Sequence, residues 1–167
     1  MLFYSCTNRA ISKHEYELLK NSTVEIPEKG WFYGACRLNN IEKLLKGRYR
    51  FLVFKDSALC SPCYIKSLGE WESFLSEFKD GDIDLVFVLQ PKKREIISAK
   101  SVLSNRKYKF PIYLDTTGIF LRMNKHIPQN EIFHSMLLDK KNKVLVIGNP
   151  LKNKEVNKII IKEVINH

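Results

Sequence analysis

Phe51-Leu52-Val53-Phe54 puts four large apolar residues in a row inside the β-prone segment Tyr49 to Lys55, with no polar residue alternating between them. A strand with one wet face alternates apolar and polar positions, so an unalternating run is expected where a sheet is covered on both faces. The segment is therefore read as a central strand, and such a strand needs apolar layers from elsewhere in the chain. The 167 residues supply them, with 44% apolar content and ten phenylalanines. Seven glycines and six prolines exclude a collagen-like or low-complexity chain. Length and composition fit one domain with one core.

After the strand, Asp56-Ser57-Ala58-Leu59-Cys60-Ser61-Pro62-Cys63 leads into Tyr64, Leu68, Trp71, Leu75 and Phe78, whose spacings of four and three predict an amphipathic helix to about Lys79. The alternation continues with a strand Ile83 to Leu89, a helix from about Lys92 to Ser104 with Ile96, Ile97 and Leu103 inward, and a strand Phe110 to Leu114. Strand, helix, strand, helix, strand implies right-handed crossovers and a largely parallel core. A short segment around Ile119 to Met123 follows. Two apolar runs, Phe133 to Leu138 and Lys143 to Ile147, are joined by Asp139-Lys140-Lys141-Asn142 as a hairpin. The chain closes on a helix capped by Asn153, with Val156, Ile160 and Val164 inward and Ile159 and Ile161 widening that face. Residues 1–30 read as a leader or loosely packed extension, and 31–167 as the domain. Within the latter, Ile41, Leu44 and Leu45, ended by Gly47, make a short helix or turn. The expected class is α/β, a central mixed sheet with helices on both faces.

The 28 basic and 18 acidic side chains leave a net charge of +10, but the excess is dispersed. Its densest run, Lys92-Lys93-Arg94, has no second basic stripe or interleaved aromatics beside it, so a solvated surface is expected and no nucleic-acid partner. No stretch approaches the ~20 apolar residues of a spanning helix, so membrane attachment requires an added anchor. Nothing in the sequence specifies an oligomeric state.

Of the four cysteines, only Cys60 and Cys63 are spaced to react with each other. They lie between a buried strand and the first turn of a helix, where unpaired backbone N–H groups and the helix dipole favour a thiolate. Cys60 is expected to be the exposed attacker and Cys63 the residue that resolves a mixed disulfide, with Pro62 stiffening the turn. A zinc site needs further ligands at comparable spacing, and Cys6, Cys36, His14, His126, His134 and His167 provide none, so neither metal nor cofactor is expected.

Taken together, strand, Cys60-Ser61-Pro62-Cys63, helix, strand, helix, strand, hairpin and terminal helix resemble the thioredoxin fold from roughly Leu44 to the C-terminus, a three-layer α/β/α arrangement. Phe110-Pro111-Ile112-Tyr113-Leu114-Asp115 and Met136-Leu137-Leu138-Asp139 resemble matching strands of the TlpA-like, envelope-facing branch. The resemblance implies thiol–disulfide oxidoreductase activity on protein thiols and disulfides, and a periplasm-facing location in a bacterial cell envelope; a cytoplasmic location is the alternative. Three positions depart from the family pattern. Phe54 stands where thioredoxins carry a buried aspartate, and Lys66 where TlpA-like reductases often carry a glutamate. Phe133 stands at the place of the usual cis-proline, so a trans bond is expected there, with Pro128 as an alternative occupant under a shifted alignment.

Other residues carry competing readings. Leu2-Phe3-Tyr4-Ser5 before Cys6 resembles the lipobox of bacterial lipoproteins, which would make Cys6 a lipid-attachment site. Only five residues precede it, so that reading expects Met1 to be a shortened start; the bland alternative is an unstructured terminal cysteine. Cys36, among Phe32, Tyr33, Ala35 and Leu38, reads as a small buried hydrophobe. His134 reads as a satisfied strand histidine rather than a proton shuttle, and Trp71 as core. Ser57, three residues before Cys60, matches a peroxiredoxin-like pattern and keeps peroxide reduction as an alternative, although Val53 stands where a proline is usual. A binding module that has kept the fold without redox chemistry is the other, opposed by the intact cysteine pair.

Overall fold

Consecutive apolar side chains on a strand must be taken up on opposite sides of the sheet. Phe51 and Val53 belong to one apolar cluster, Leu52 and Phe54 to another, and all four have no exposure. The structure is a computed structural model and describes residues 13–28, 30–33, 41, 44–56 and 61–166, the side chains of Trp31 and Ser61 excepted. Strands β1 (Trp31–Tyr33), β2 (Tyr49–Lys55), β3 (Ile83–Leu89), β4 (Ile112–Leu114), β5 (Ser135–Asp139) and β6 (Val144–Ile147) form a six-stranded sheet in the order β1-β4-β3-β2-β5-β6. β2, β3 and β4 are parallel, whereas β5 on β2, β6 on β5 and β1 on β4 are antiparallel. β2 is central, with Phe51 opposite Leu85 on one side and Leu137 on the other.

Helices α2 (Ser61–Ser67), α3 (Glu70–Leu75), α4 (Ile96–Ser104) and α6 (Lys154–Ile165) bring Ile65, Trp71, Phe74, Ala99, Leu103, Ile160 and Val164 to the Phe51 and Val53 side. Helices α1 (Lys13–Lys20) and α5 (Ile119–Met123) bring Leu19 and Phe120 to the other. The expected mixed sheet between helical layers is what the chain adopts.

Five local differences have physical causes. Residues 13–28 are not a loosely packed extension: Leu19 and Val24 have no exposure and Ile26 is 6% exposed. The Asn124 side chain clamps the Glu25 backbone, accepting from its N–H and donating to its carbonyl, both at 2.8 Å. Three scattered apolar residues thus anchor a segment whose charges dominate its composition. The long helix predicted to Lys79 is two helices. Ser67 Oγ donates to the Tyr64 carbonyl at 2.9 Å, and the chain turns through Leu68 and Gly69, a weak helix former. A 3₁₀ turn at Lys93–Glu95 opens the next helix and changes its phase, leaving Ile97 83% exposed while Ala99 is buried. Ile159 is likewise on the outer face of α6, at 52% exposure. Finally, Phe133 and His134 belong to a 3₁₀ turn, Glu131–His134, and the strand begins only at Ser135. The hairpin and the last helix cap form as read. Asp139 Oδ1 accepts from the N–H groups of Lys141 and Lys143, and Asn153 caps α6 through the N–H groups of Glu155 and Val156.

Candidate active site

β2 delivers the chain to the cysteine segment at its C-terminal end. Ser57 and Cys60 lie outside the described residues, as do Cys6 and Cys36. Ser61 opens α2, Pro62 is half-buried and Cys63 is exposed in its first turn. The helix is fixed to the sheet from below, with Ile65 and Leu68 without exposure. The buried Tyr108 hydroxyl donates to the Ile65 carbonyl at 2.7 Å, and Arg106 donates to the Lys66 carbonyl at 3.2 Å. Lys66 itself points to solvent.

The position six residues before Cys60 holds an aromatic ring in a full pocket. Phe54 packs against Phe120 and edge-on to His134, both with ring centroids 4.9 Å away. β5 runs antiparallel to β2 with Ser135 opposite Val53, which sets the 3₁₀ turn of Glu131–His134 beside the end of β2. Phe133 is fully buried there. Among the described residues no peptide bond is cis, so the bonds into Phe133 and into Pro128 are both trans. His134 is 3% exposed, and its Nε2–H donates to the Pro128 carbonyl at 3.0 Å. Burial pushes its pKa down, against the Pro128 hydrogen bond. This is a satisfied core histidine whose Nε2 is committed.

The sequence reading treats Lys55 only as the end of a strand. Its side chain is 11% exposed, with Nζ 3.8 Å from Glu131 Oε2 and 5.4 Å from the centre of the Tyr64 ring. Burial pushes the Lys55 pKa down; Glu131 and Asp56 oppose this and Lys152 adds to it. Tyr64, next to Cys63, is pushed up by burial. A cation, two carboxylates, a phenol and an imidazole thus converge on the mouth of β2, a grouping that has no spacing signature in the sequence. Asp115, read above only as the end of a matching strand, is fully buried, and its carboxylate accepts from the N–H groups of Ile119 and Phe120 at 3.0 and 2.9 Å, capping α5. Its role is structural. Among the described residues, no three His, Cys, Asp or Glu side chains are grouped to hold a metal ion, and no helix is long and apolar enough to cross a membrane.

No family model matches the sequence, and no curated protein matches it. Solved structures match its fold. A thioredoxin-like superfamily protein superposes with a TM-score of 0.58 at 16% identity, over 89% of this chain and 97% of that one. A candidate thiol:disulfide interchange protein, DsbE, from Chlorobium tepidum gives 0.55 at 17% identity, over 86% and 98%. The thioredoxin domain of a thiol-disulfide oxidoreductase from Bacteroides vulgatus gives 0.53 at 18%, over 86% and 98%. With β2 central, β3 and β4 parallel to it on one side, an antiparallel hairpin on the other and helices on both faces, the chain has the thioredoxin-like fold.

Proposed function

We propose that this protein is a thiol–disulfide oxidoreductase working through Cys60 and Cys63. The observation that carries the reading is the exposure of Cys63 in the first turn of the helix that follows the central strand of a thioredoxin-like fold, three residues after a second cysteine. In the reducing direction, the Cys60 thiolate attacks one sulfur of a partner disulfide. The other partner sulfur leaves as a thiolate and takes a proton. Cys63, as its thiolate, then attacks Cys60 in the mixed disulfide and releases the second partner thiol. Two electrons and two protons pass from the dithiol to the partner, and the reverse sequence oxidises a partner dithiol. Ser61 and Pro62 separate the two cysteines in sequence, and the exposed side of α2 admits a protein substrate. Phe133 stands in the neighbouring turn in place of a proline, and its burial withholds it from direct contact with substrate.

The same reading sets the protein in a cell envelope, where disulfide exchange persists, with Cys6 as a lipid attachment point. Mass spectrometry of membrane-extracted native protein that finds Cys6 unmodified removes that attachment. For the chemistry, a Cys63→Ser variant is expected to accumulate a mixed disulfide through Cys60, and Cys60→Ser none, in thiol-trapping and insulin-reduction assays. If both variants behave as wild type, the reading fails and the fold serves as a binding module instead.

A further inference from the structure

Lysine at the end of a strand ordinarily extends its flexible stem and keeps its ammonium in water. Lys55 does not, since its side chain is only 11% exposed. By strand alternation it shares the face of Phe51 and Val53, the side that α2 covers, and its ammonium lies over Tyr64, the residue after Cys63. Its carboxylate partner neutralises it poorly: Glu131 Oε2 stands at 3.8 Å, the edge of an ion pair, on a side chain 67% exposed to screening water. Around the ammonium are Asp56 at the end of β2, Glu131 and the buried His134 from the 3₁₀ turn, Tyr64 from α2, and Lys152 from the loop before α6. Holding a cation partly desolvated, with weak compensation, costs stability that a methionine would not. A structural strand end has no use for such a group.

We propose that Lys55 is a positioning residue for the Cys60–Cys63 pair, its ammonium set beneath the first turn of α2 so as to favour the thiolate. This rests on the exchange reading above and adds to it the group that sets the ionisation of the pair. Phe54 fills the position six residues before Cys60, so no carboxylate acts from that place. A cation that stabilises the thiolate stabilises the reduced form, and so raises the reduction potential of the couple. A unit charge acting through an effective dielectric of about 20 shifts a nearby ionisation constant by about tenfold or more. Glu131 and solvent reduce this, so about three- to tenfold is expected.

The test uses the full chain as wild type, Lys55→Met, Lys55→Arg and Glu131→Gln, with two measurements. Thiolate absorbance in the reduced protein is followed against pH, and the dithiol–disulfide equilibrium is measured in glutathione buffers. Lys55→Met should raise the reactive thiol's pKa by about 0.5 to 1 unit, the same three- to tenfold. It should lower the potential by about 15 to 30 mV, the conversion of that factor for a two-electron couple. Lys55→Arg, which keeps the charge, should restore both. Glu131→Gln, a change at an exposed side chain that leaves folding intact, should move both quantities the opposite way. Wild-type ionisation and potential in Lys55→Met, or a raised thiol pKa in Glu131→Gln, overturns the proposal. If the wild-type protein itself shows no reversible couple, the exchange reading has failed and this inference goes with it; a normal wild-type couple with an unresponsive Lys55→Met sinks the inference alone.

Discussion

Phe54 occupies the position six residues before Cys60, and packing keeps a carboxylate out of it. The ring is fully buried against Phe120 and His134, each 4.9 Å away between centroids. A buried aromatic removes roughly 150 to 250 Å² from water, which at about 25 cal/mol/Å² is about 4 to 6 kcal/mol as an upper bound. Phe-to-Ala substitutions in cores cost about 3 to 5 kcal/mol, and Phe54→Ala is expected in that range, a fall in melting temperature of roughly 6 to 20 °C for a chain of this size. Urea unfolding followed by circular dichroism should show the midpoint falling with the slope unchanged. Phe54→Asp should lose the same packing and also bury a carboxyl, whose pKa burial raises above the unfolded value of about 3.9. A raised folded pKa makes the variant's stability greatest below about pH 4 and diminishes it as pH rises through the folded pKa. The gap between the two variants should therefore open between pH 4 and pH 7. Equal stability of Phe54→Asp and Phe54→Ala at pH 7 refutes the argument, because the pocket would then accept the carboxylate.

Two further outcomes follow from buried polar contacts. His134 is held below its ordinary pKa chiefly by burial, so the unfolded chain binds its proton first as pH falls. Stability should drop on acidification from about pH 6.5 downward, and His134→Gln should remove that part of the difference between urea midpoints at pH 7.5 and 5.5. Asn142 turns the hairpin with φ at 61° while its Oδ1 accepts from Arg50 at 2.6 Å. Asn142→Gly should lose only the charge-assisted bond, about 1.5 to 3 kcal/mol, and Asn142→Ala about 1 kcal/mol more for its backbone, in parallel thermal melts.

The fold was legible because its sheet is buried on both faces. The runs at Phe51 to Phe54 and Ile83 to Leu89 announce central strands without any long-range information, and the alternation with helical spacing gives their parallel pairing. What escaped depends on contacts distant in sequence. Leu19, Val24 and Ile26 look like incidental apolar residues in a charged segment until Asn124 clamps the Glu25 backbone. Ile97 matched a helical stripe whose phase a 3₁₀ turn then shifted. At the candidate site, Cys63 and its helix were readable from local pattern, and so was the lack of a carboxylate at Phe54. The confinement of Lys55 was not, because it is made by Tyr64 from α2 and Glu131 from the turn before β5.

Phe54 and Lys55 are consecutive, and on a strand consecutive side chains face opposite sides of the sheet. One residue therefore fills the position six before Cys60 with a ring, and the next places a positive charge on the face toward α2. The two choices act in opposite senses on a nearby thiol. A buried carboxylate that loses its proton raises a neighbouring thiol's pKa through like charge, whereas a buried ammonium lowers it. A chain with the aspartate keeps its dithiol protonated and its couple more reducing. In the proposed exchange chemistry, a chain with a ring and a lysine in that order favours the thiolate, and the alternation that buries β2 on both sides sets that balance.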